Sequence, residues 1–356
     1  MSVATGRRLR VNPVLEREMR ERMRGVRSAV VLTLYLAALV LVFFLVYQAS
    51  VFSRGFGVSA VNPTDVARIG RSIFEWVLFI MLVLVLFLVP GMTSAAVSGE
   101  RERQTLIPMQ ITLLRPRSIV IGKISASQSF LGLLLVATAP LLALSYLVGG
   151  VSLPQALRGL AAVLFTGCLL AAMTVACSAY SRRTQTATVL AYFFVLMLVF
   201  GTLIVYWAAV AVVDKPNNGF LDRPAPTGML WVNPVVLTGA VIGGEQKAVD
   251  VNAARFGGPT RGIGTPFEAV RNMMQPRQEF TAVGQAIGPG GPGGPFNVVI
   301  DDRGNVVPNG GAGPQGAPET GFENYTVSSI VACLVLIALC TWYASRRLRT
   351  PAAIER

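Results

Sequence analysis

The sequence contains no histidine and only four cysteines in 356 residues. Without histidine, Ser-His-Asp triads, histidine metal sites and HExxH zinc proteases are excluded. All four cysteines lie inside apolar runs and show no metal-type spacing, which argues against a disulfide framework as well: they are Cys168, Cys177, Cys333 and Cys340. The chain also lacks the GxxxxGK[ST] loop that cradles phosphate. We therefore predict neither an enzyme nor a chain that hydrolyses ATP by itself.

Charge is scarce as well. Charged residues make up 14% of the chain and hydrophobic residues 53%, whereas a soluble domain has roughly 25% charged residues. The deficit is local, because several windows of about 20 residues carry no charge, and about 20 apolar helical residues are enough to cross a bilayer. The sequence therefore predicts an all-α integral membrane protein.

Six windows have the length and composition of membrane-spanning helices: about 28–48, 73–97, 121–148, 158–180, 186–213 and 326–345. The first is longer than the apolar core of a signal peptide, so we interpret it as a retained anchor. A further apolar stretch, MLWVNPVVLTGAVIGG (229–244), is short and is interrupted by Asn233-Pro234. We predict that it is a re-entrant or interfacial piece and not a seventh span.

The basic residues indicate the orientation. If the N-terminus is cytoplasmic, 19 of the 31 Lys and Arg residues and only 6 of the 18 acidic residues fall on the cytoplasmic side. The whole net charge of +13 then lies on that side, as the positive-inside rule expects. We predict that both termini are cytoplasmic in the cell membrane. The charge is explained by topology and by contact with anionic lipids, without nucleic acid.

Ionisable side chains are nearly absent from the predicted spans. Glu75 is the single acid near one, and we interpret it and Arg71 as an interfacial i,i+4 pair. A proton- or sodium-driven pump needs buried carboxylates, and we expect none here. Ser94 and Ser98 have the spacing of small residues at a close helix contact, so packing is the role predicted for them.

Residues 12–27, NPVLEREMRERMRGVR, have the pattern of an amphipathic helix. Asn12 is suited to the N-cap and Pro13 to the first helical position. Apolar residues recur on one face and Glu-Arg pairs on the other, which predicts a helix lying in the membrane interface. A solvated, charged lead-in is the alternative. The residues of interest are Glu16, Arg17, Met19, Arg20 and Met23.

The segment between the fifth and sixth spans, 214–325, has a different composition. Two stretches in it, IGPGGPGGP (287–295) and NGGAGPQGAP (309–318), are too rich in Gly and Pro to bury a core. We predict an irregular, partly disordered extracytoplasmic insert. Between the two stretches, NVVIDDRGNVVP (297–308) has the pattern of a small β-hairpin.

The loop between the second and third spans, SGERERQTLIPMQITLLRPRSIVIGK (98–123), is longer than a simple connection needs. It combines Glu-Arg pairs with apolar residues, a mixture suited to a helix that docks into a groove of another protein. A plain basic cytoplasmic loop is the alternative. The residues alone leave both interpretations open.

This loop resembles the signature of ATP-binding-cassette exporter permeases of type 2. In that family the first cytoplasmic loop reads like G-E-R-E-x-G-T-L, followed by apolar residues, Thr-Pro and a second piece ending in Gly-Lys. The residues that match are Gly99, Glu100, Arg101, Glu102, Thr105, Leu106, Gly122 and Lys123. The chain departs from the pattern at Gln104, which replaces a glycine, at Pro108, and at Thr112, which no proline follows.

The resemblance implies six spans, an N-terminal elbow helix (within 1–27), a cytoplasmic coupling helix in loop 98–123, and no cofactor bound by this chain. ATP and Mg²⁺ would be bound by a separate ATPase subunit, and the permease would pair as a homodimer or heterodimer. The apolar runs and composition divide the chain into the tail and interfacial helix 1–27, spans 1–5 at 28–213, the insert 214–325, span 6 at 326–345 and the tail 346–356. The implied contact residues for the ATPase are Glu100, Arg101, Glu102, Arg103, Thr105, Leu106, Arg115 and Lys123. A non-transporting membrane scaffold that recruits partners is the alternative, and no substrate is indicated.

Overall fold

The computed structural model describes residues 26–52, 63–104, 116–213, 227–243, 265–268, 270, 298–300, 306–308 and 320–348. Several predictions therefore fall outside the described residues. They concern the interfacial helix residues Glu16, Arg17, Met19, Arg20 and Met23, and the loop residues Thr105, Leu106, Pro108 and Arg115.

Helices account for most of the described chain. They are α1 (Val26–Phe52), α2 (Pro63–Thr93), α3 (Ala95–Glu102), α4 (Pro116–Val148), α5 (Leu153–Tyr180), α6 (Thr184–Leu196), a π-helical turn (Met197–Gly201), α7 (Thr202–Val213), a 3₁₀ turn (Thr227–Leu230), α8 (Pro234–Gly243) and α9 (Thr320–Arg347). Two short strands, β1 (Val298–Ile300) and β2 (Val306–Pro308), pair antiparallel. This pairing matches the predicted hairpin.

Six of the described helical segments are long and apolar enough to cross a membrane, which confirms the predicted number. These spans 1–6 are Ser28–Ser50, Ile69–Glu102, Pro116–Val148, Leu153–Tyr180, Thr184–Ala209 and Tyr325–Arg347. Span 2 consists of α2 and α3, which a turn at Ser94 separates. Span 5 consists of α6, the π-helical turn and most of α7. The chain is therefore a multi-pass membrane protein by the length and composition of its helices.

Spans 2 and 4 form the centre of the bundle. Their most apolar windows are 56% and 67% buried, against 17% for spans 1, 5 and 6. Ile73, Phe74 and Leu78 of span 2 have no exposed surface. The outer spans instead expose large apolar side chains such as Phe44, Phe193 and Val331, as expected of helices that face lipid.

Contacts between helix ends show that spans 2, 3, 4 and 5 alternate in direction, so that each runs antiparallel to the span before it. Lys123, near the start of span 3, bonds Glu100 near the end of span 2. Thr184, at the start of span 5, bonds Glu102. We name the end with Glu100–Arg103 and Ser181–Arg183 the charged end. The opposite end, where α8 and residues 265–268 lie, is the insert end.

At the insert end, two glycines close the turn between spans 3 and 4. Gly149 and Gly150 have φ angles of 96° and 85°, a region that side chains other than glycine rarely adopt. A Cβ atom on Gly150 would lie 1.8 Å from the carbonyl oxygen of Ala67. Glycine therefore lets this turn lie directly against the start of span 2.

The apolar stretch 229–244 contains the ten-residue helix α8, which is too short to span a bilayer. The prediction that it is not a seventh span is confirmed. Leu237 of α8 lies in a buried cluster with Leu169 of span 4 and Cys333 of span 6. Helix α8 is thus part of the bundle's core at the insert end, although the chain arrives at it from the insert.

Candidate functional site

The charged end is built around an ion pair between spans 2 and 3. Lys123 Nζ lies 2.8 Å from Glu100 Oε1, and the exposed fractions of the two side chains are 2% and 19%. A lysine this deeply buried requires a carboxylate partner, because an uncompensated charge away from water is costly. The two residues are 23 positions apart, so the pair closes the whole loop between the spans.

Arg101, the next residue, binds the end of span 4. Its Nη1 donates to the carbonyl oxygen of Ser181 at 3.1 Å, and Ser181 is the C-cap of α5. The last carbonyl groups of a helix have no partner within it and carry partial negative charge. The guanidinium therefore compensates the C-terminus of span 4.

Glu102 binds the beginning of span 5. Its carboxylate accepts the backbone N–H of Thr184 at 2.8 Å and also bonds the Thr184 hydroxyl. Arg183, the N-cap of α6, supplies no side-chain cap. The first N–H groups of a helix favour a negatively charged acceptor. Glu102 thus caps span 5 from another helix, directly beside the span 4 terminus that Arg101 compensates.

A second cap from another helix holds α3. Its own N-cap, Ser94, makes no side-chain bond to the helix. Instead Ser178 Oγ, on span 4, accepts the backbone N–H groups of Val97 and Ser98, both at 3.0 Å. All of these groups are buried. Ser98 lies at a helix contact, as its spacing predicted, and it adds a hydroxyl contact of 3.2 Å to Ser178.

Gln104 has a backbone conformation that glycine favours. Its φ angle is +57°, and it is the single described residue other than glycine with positive φ. Its N–H donates to the carbonyl oxygen of Arg101 at 3.1 Å, as in the left-handed residue that often ends a helix. This is the position at which the family signature has glycine.

The structure therefore brings together Glu100, Arg101, Glu102 and Lys123, and it places Arg103 just beyond them with an exposed side chain. Thr105, Leu106 and Arg115 lie outside the described residues. Ser181 and Thr184, the partners of Arg101 and Glu102, were not expected from the sequence. A signal was present, since Ser-Arg-Arg-Thr between two apolar runs is typical of a tight connection with polar helix caps.

Glu75, at the insert end, requires a correction. Its i,i+4 pair with Arg71 is present at 3.3 Å, but Glu75 is 1% exposed and is therefore a buried carboxylate. The expectation that the spans hold no buried carboxylate is wrong here. Residues of the insert cover this position: the Thr265 hydroxyl bonds Glu75, and Phe267 packs edge-on against Phe79 with centroids 5.8 Å apart.

Among the residues that the structure describes, no group of three or more His, Cys, Asp or Glu side chains is placed to hold a metal ion. No protein-family model matches the sequence, and no curated protein matches it.

Proposed function

We propose that this chain is the transmembrane subunit of a type-2 ATP-binding-cassette exporter, which moves a substrate across the cell membrane with energy from a separate ATPase subunit. One observation carries the proposal. Glu100, Arg101 and Glu102 match the family signature, and each of these consecutive residues bonds span 2 to a different span: Glu100 to span 3, Arg101 to span 4 and Glu102 to span 5.

This geometry suits transmission of force. Each of the three consecutive side chains binds a different helix near its terminus, so a displacement of α3 is passed to the ends of three spans together. In the proposed topology the charged end is cytoplasmic, because the excess basic residues belong there. The 105–115 segment, which follows Arg103 and Gln104, is then the part of the loop that contacts the ATPase.

The remaining parts of the proposal follow from the same resemblance. The 12–27 segment is the elbow helix in the cytoplasmic interface, where it contacts membrane lipids. The ATPase subunit binds ATP and Mg²⁺, and this chain pairs with a second permease as a homodimer or heterodimer. The sequence has no P-loop, and this is why a partner must supply the ATPase activity.

The test is purification of the tagged full chain from its native membrane in mild detergent. We expect a chain with a Walker A motif to co-purify and the preparation to hydrolyse ATP. Arg103→Glu, a charge reversal at an exposed position beside the 105–115 segment, should reduce the co-purified ATPase several-fold. Arg346→Glu is the matched control, because Arg346 is an exposed arginine at the end of span 6.

Two results would contradict the proposal. A preparation without any ATP-hydrolysing chain would favour the non-transporting scaffold. Equal loss of the ATPase in Arg103→Glu and Arg346→Glu would mean that the loop has no special role.

A further inference from the structure

Span 5 contains an irregularity in the middle of the membrane-spanning region. Residues Met197–Gly201 form a π-helical turn between α6 and α7. A π-helical turn accommodates an extra residue and leaves backbone groups poorly paired, and such turns often occur where a helix bends or functions. The bonding of the two halves of span 5 differs on either side of this turn.

The first half, α6, is bonded to span 2 by three polar side chains four residues apart. Thr184 bonds Glu102, as described above. Thr188 Oγ1 donates to Ser94 Oγ at 2.9 Å, and Tyr192 Oη donates to the carbonyl oxygen of Phe87 at 2.9 Å. Because residues four apart share one face of a helix, these side chains form a polar stripe along the contact with span 2.

Small residues of span 2 lie opposite this stripe. Ser94 is the turn between α2 and α3. A Cβ atom at Gly91 would lie 2.9 Å from the Tyr192 hydroxyl, so glycine at this position leaves room for the tyrosine. The first half of span 5 is therefore bonded to span 2 from Thr184 to Tyr192, and it also packs against span 4.

The π-helical turn and the second half are bonded to a different partner, Asn233. This side chain has no exposed surface. Its Nδ2 donates to the carbonyl oxygen of Val199 at 2.9 Å and to Thr202 Oγ1 at 2.8 Å. Its Oδ1 accepts the N–H groups of Val235 and Val236 at the start of α8, at 2.9 and 3.3 Å.

Asn233 thus uses its donors on span 5 and its acceptor on α8. Apolar contact continues the same connection, since Tyr206 of α7 shares a buried cluster with Leu230 and Val236. The amide is fully used and fully buried, and breaking either set of bonds would leave buried polar groups unpaired, which is costly. The second half of span 5 and α8 are therefore expected to remain together.

We propose that the π-helical turn Met197–Gly201 is a hinge that joins two bodies. One body is α6 with span 2, and the other is α7 with α8, held together by Asn233. A movement of span 2 would then carry the first half of span 5 with it and bend the helix at the turn. The second half and α8 would keep their mutual contacts.

The test is hydrogen–deuterium exchange of the purified full chain in lipid nanodiscs, read by mass spectrometry. Asn233→Ser keeps an N-cap acceptor for α8 but removes the amide donors to span 5. We expect the backbone amides of residues 199–206 to exchange about tenfold faster, because the Val199 carbonyl and the Thr202 hydroxyl lose their bonds to Asn233 and this part of the helix opens more often. The amides of residues 185–196 should exchange at the wild-type rate. Thr238→Val, which alters a buried bond inside α8, is the matched control and should leave both segments unchanged.

Tyr192→Phe is the reciprocal variant, and it removes a single hydroxyl. Residues 188–196 should exchange several-fold faster, while residues 199–206 keep the wild-type rate. Tyr146→Phe, at an exposed tyrosine, is its control. If Asn233→Ser does not accumulate in the membrane, Thr202→Val tests the same connection, because it removes the hydroxyl that accepts the Asn233 amide. Thr202→Ser, which keeps the hydroxyl, is its control.

Separate responses of the two halves would support the hinge. An equal acceleration along all of span 5 in either variant would overturn it, since span 5 would then be one rigid body. Wild-type exchange in both variants would overturn it as well, since the bonds would then hold neither half. No ATPase is present in this experiment, so its outcome is independent of the proposed function.

Discussion

The charged end and the insert end of the bundle are both closed by polar side chains, but in different surroundings. At the charged end, the carboxylates reach solvent, since Glu100 is 19% exposed and Glu102 is exposed, although their neighbour Lys123 is buried. At the insert end, Glu75, Gln155 and Asn233 are 1%, 4% and 0% exposed. Bonds near water can be exchanged for new partners at little cost, whereas buried bonds cannot be opened without leaving polar groups unpaired.

This difference suggests separate roles for the two ends. The charged end can accept contact from another protein, because part of its polar surface already faces solvent. The insert end resists opening, since Gln155 Nε2 binds the carbonyl oxygen of Ile242 at 3.3 Å and Asn233 binds span 5. Under the proposed function, force would enter at the charged end, and the insert end would hold the outer parts of the bundle together.

The largest effect is expected from Lys123→Met. The substitution removes the ammonium group from Glu100 and should lower the free energy of unfolding by about 3 kcal/mol, in the range for a broken buried ion pair. The measurement is reversible unfolding in mixed detergent micelles. The double variant Lys123→Met with Glu100→Gln removes both charges and should recover most of the loss. A double variant as unstable as Lys123→Met would show that lost packing, and not charge, is the cause.

The insert end is tested by Glu75→Gln. Glu75 is buried between Arg71 and Thr265, and we expect a loss of about 2 kcal/mol, because the charge that compensates Arg71 is removed. Glu268→Gln is the matched control: Glu268 also accepts a bond from Thr265, at 3.3 Å, but its side chain is exposed. The control should change the unfolding free energy by less than about 0.5 kcal/mol. Equal losses in the two variants would remove the distinction between buried and exposed bonds.

Ser178→Ala tests the cap that span 4 provides for α3. The backbone N–H groups of Val97 and Ser98 would lose their acceptor in a buried region, with an expected loss of about 1.5 kcal/mol. Ser129→Ala, which removes a hydroxyl bonded only within its own helix at 2.9 Å, should be nearly neutral. Hydrogen exchange should accelerate at residues 95–102 in Ser178→Ala alone. An unchanged rate there would mean that Ser178 does not hold α3.

The smallest effect should have the opposite sign. Gln104→Gly places glycine at a left-handed position and should stabilise the end of α3 by about 1 kcal/mol. We expect the backbone amides of residues 102 and 103, directly before Gln104, to exchange more slowly than in the wild-type chain. Arg103→Gly is the control, since Arg103 has a φ of −80° and gains nothing from glycine. Equal behaviour of the two variants would show that backbone strain at Gln104 is not released.

Features that depend on a local pattern of residues could be predicted from the sequence. The six spans follow from apolar length alone, and the β1–β2 pairing from two short apolar runs on either side of Asp-Arg-Gly. The resemblance singled out Glu100, Arg101, Glu102 and Lys123 together, and their role stays a prediction. Their mutual arrangement near the ends of three other spans was not predicted.

The features that were missed depend on contacts between distant residues. The burial of Glu75 was missed, because Thr265, which covers it, is 190 positions away in the chain. The cap from Ser178 to α3 crosses 80 positions. The π-helical turn lies in MLVFG, an apolar stretch without proline, and nothing in it signals an irregular helix. Its partner Asn233 was seen as an interruption of an apolar run, although the same residue is the bond between α8 and span 5.

The most direct test of the account is hydrogen exchange of the π-helical turn Met197–Gly201 in the complex with the co-purified ATPase, before and after Mg-ATP is added. In the wild-type chain we predict that Mg-ATP changes the exchange of residues 197–201, since movement at the charged end bends span 5 at this turn, and that residues 234–243 of α8 keep their exchange rate. In Glu100→Ala, the complex should still hydrolyse ATP, but residues 197–201 should not respond. The same Mg-ATP response of these residues in wild type and in Glu100→Ala would contradict the account.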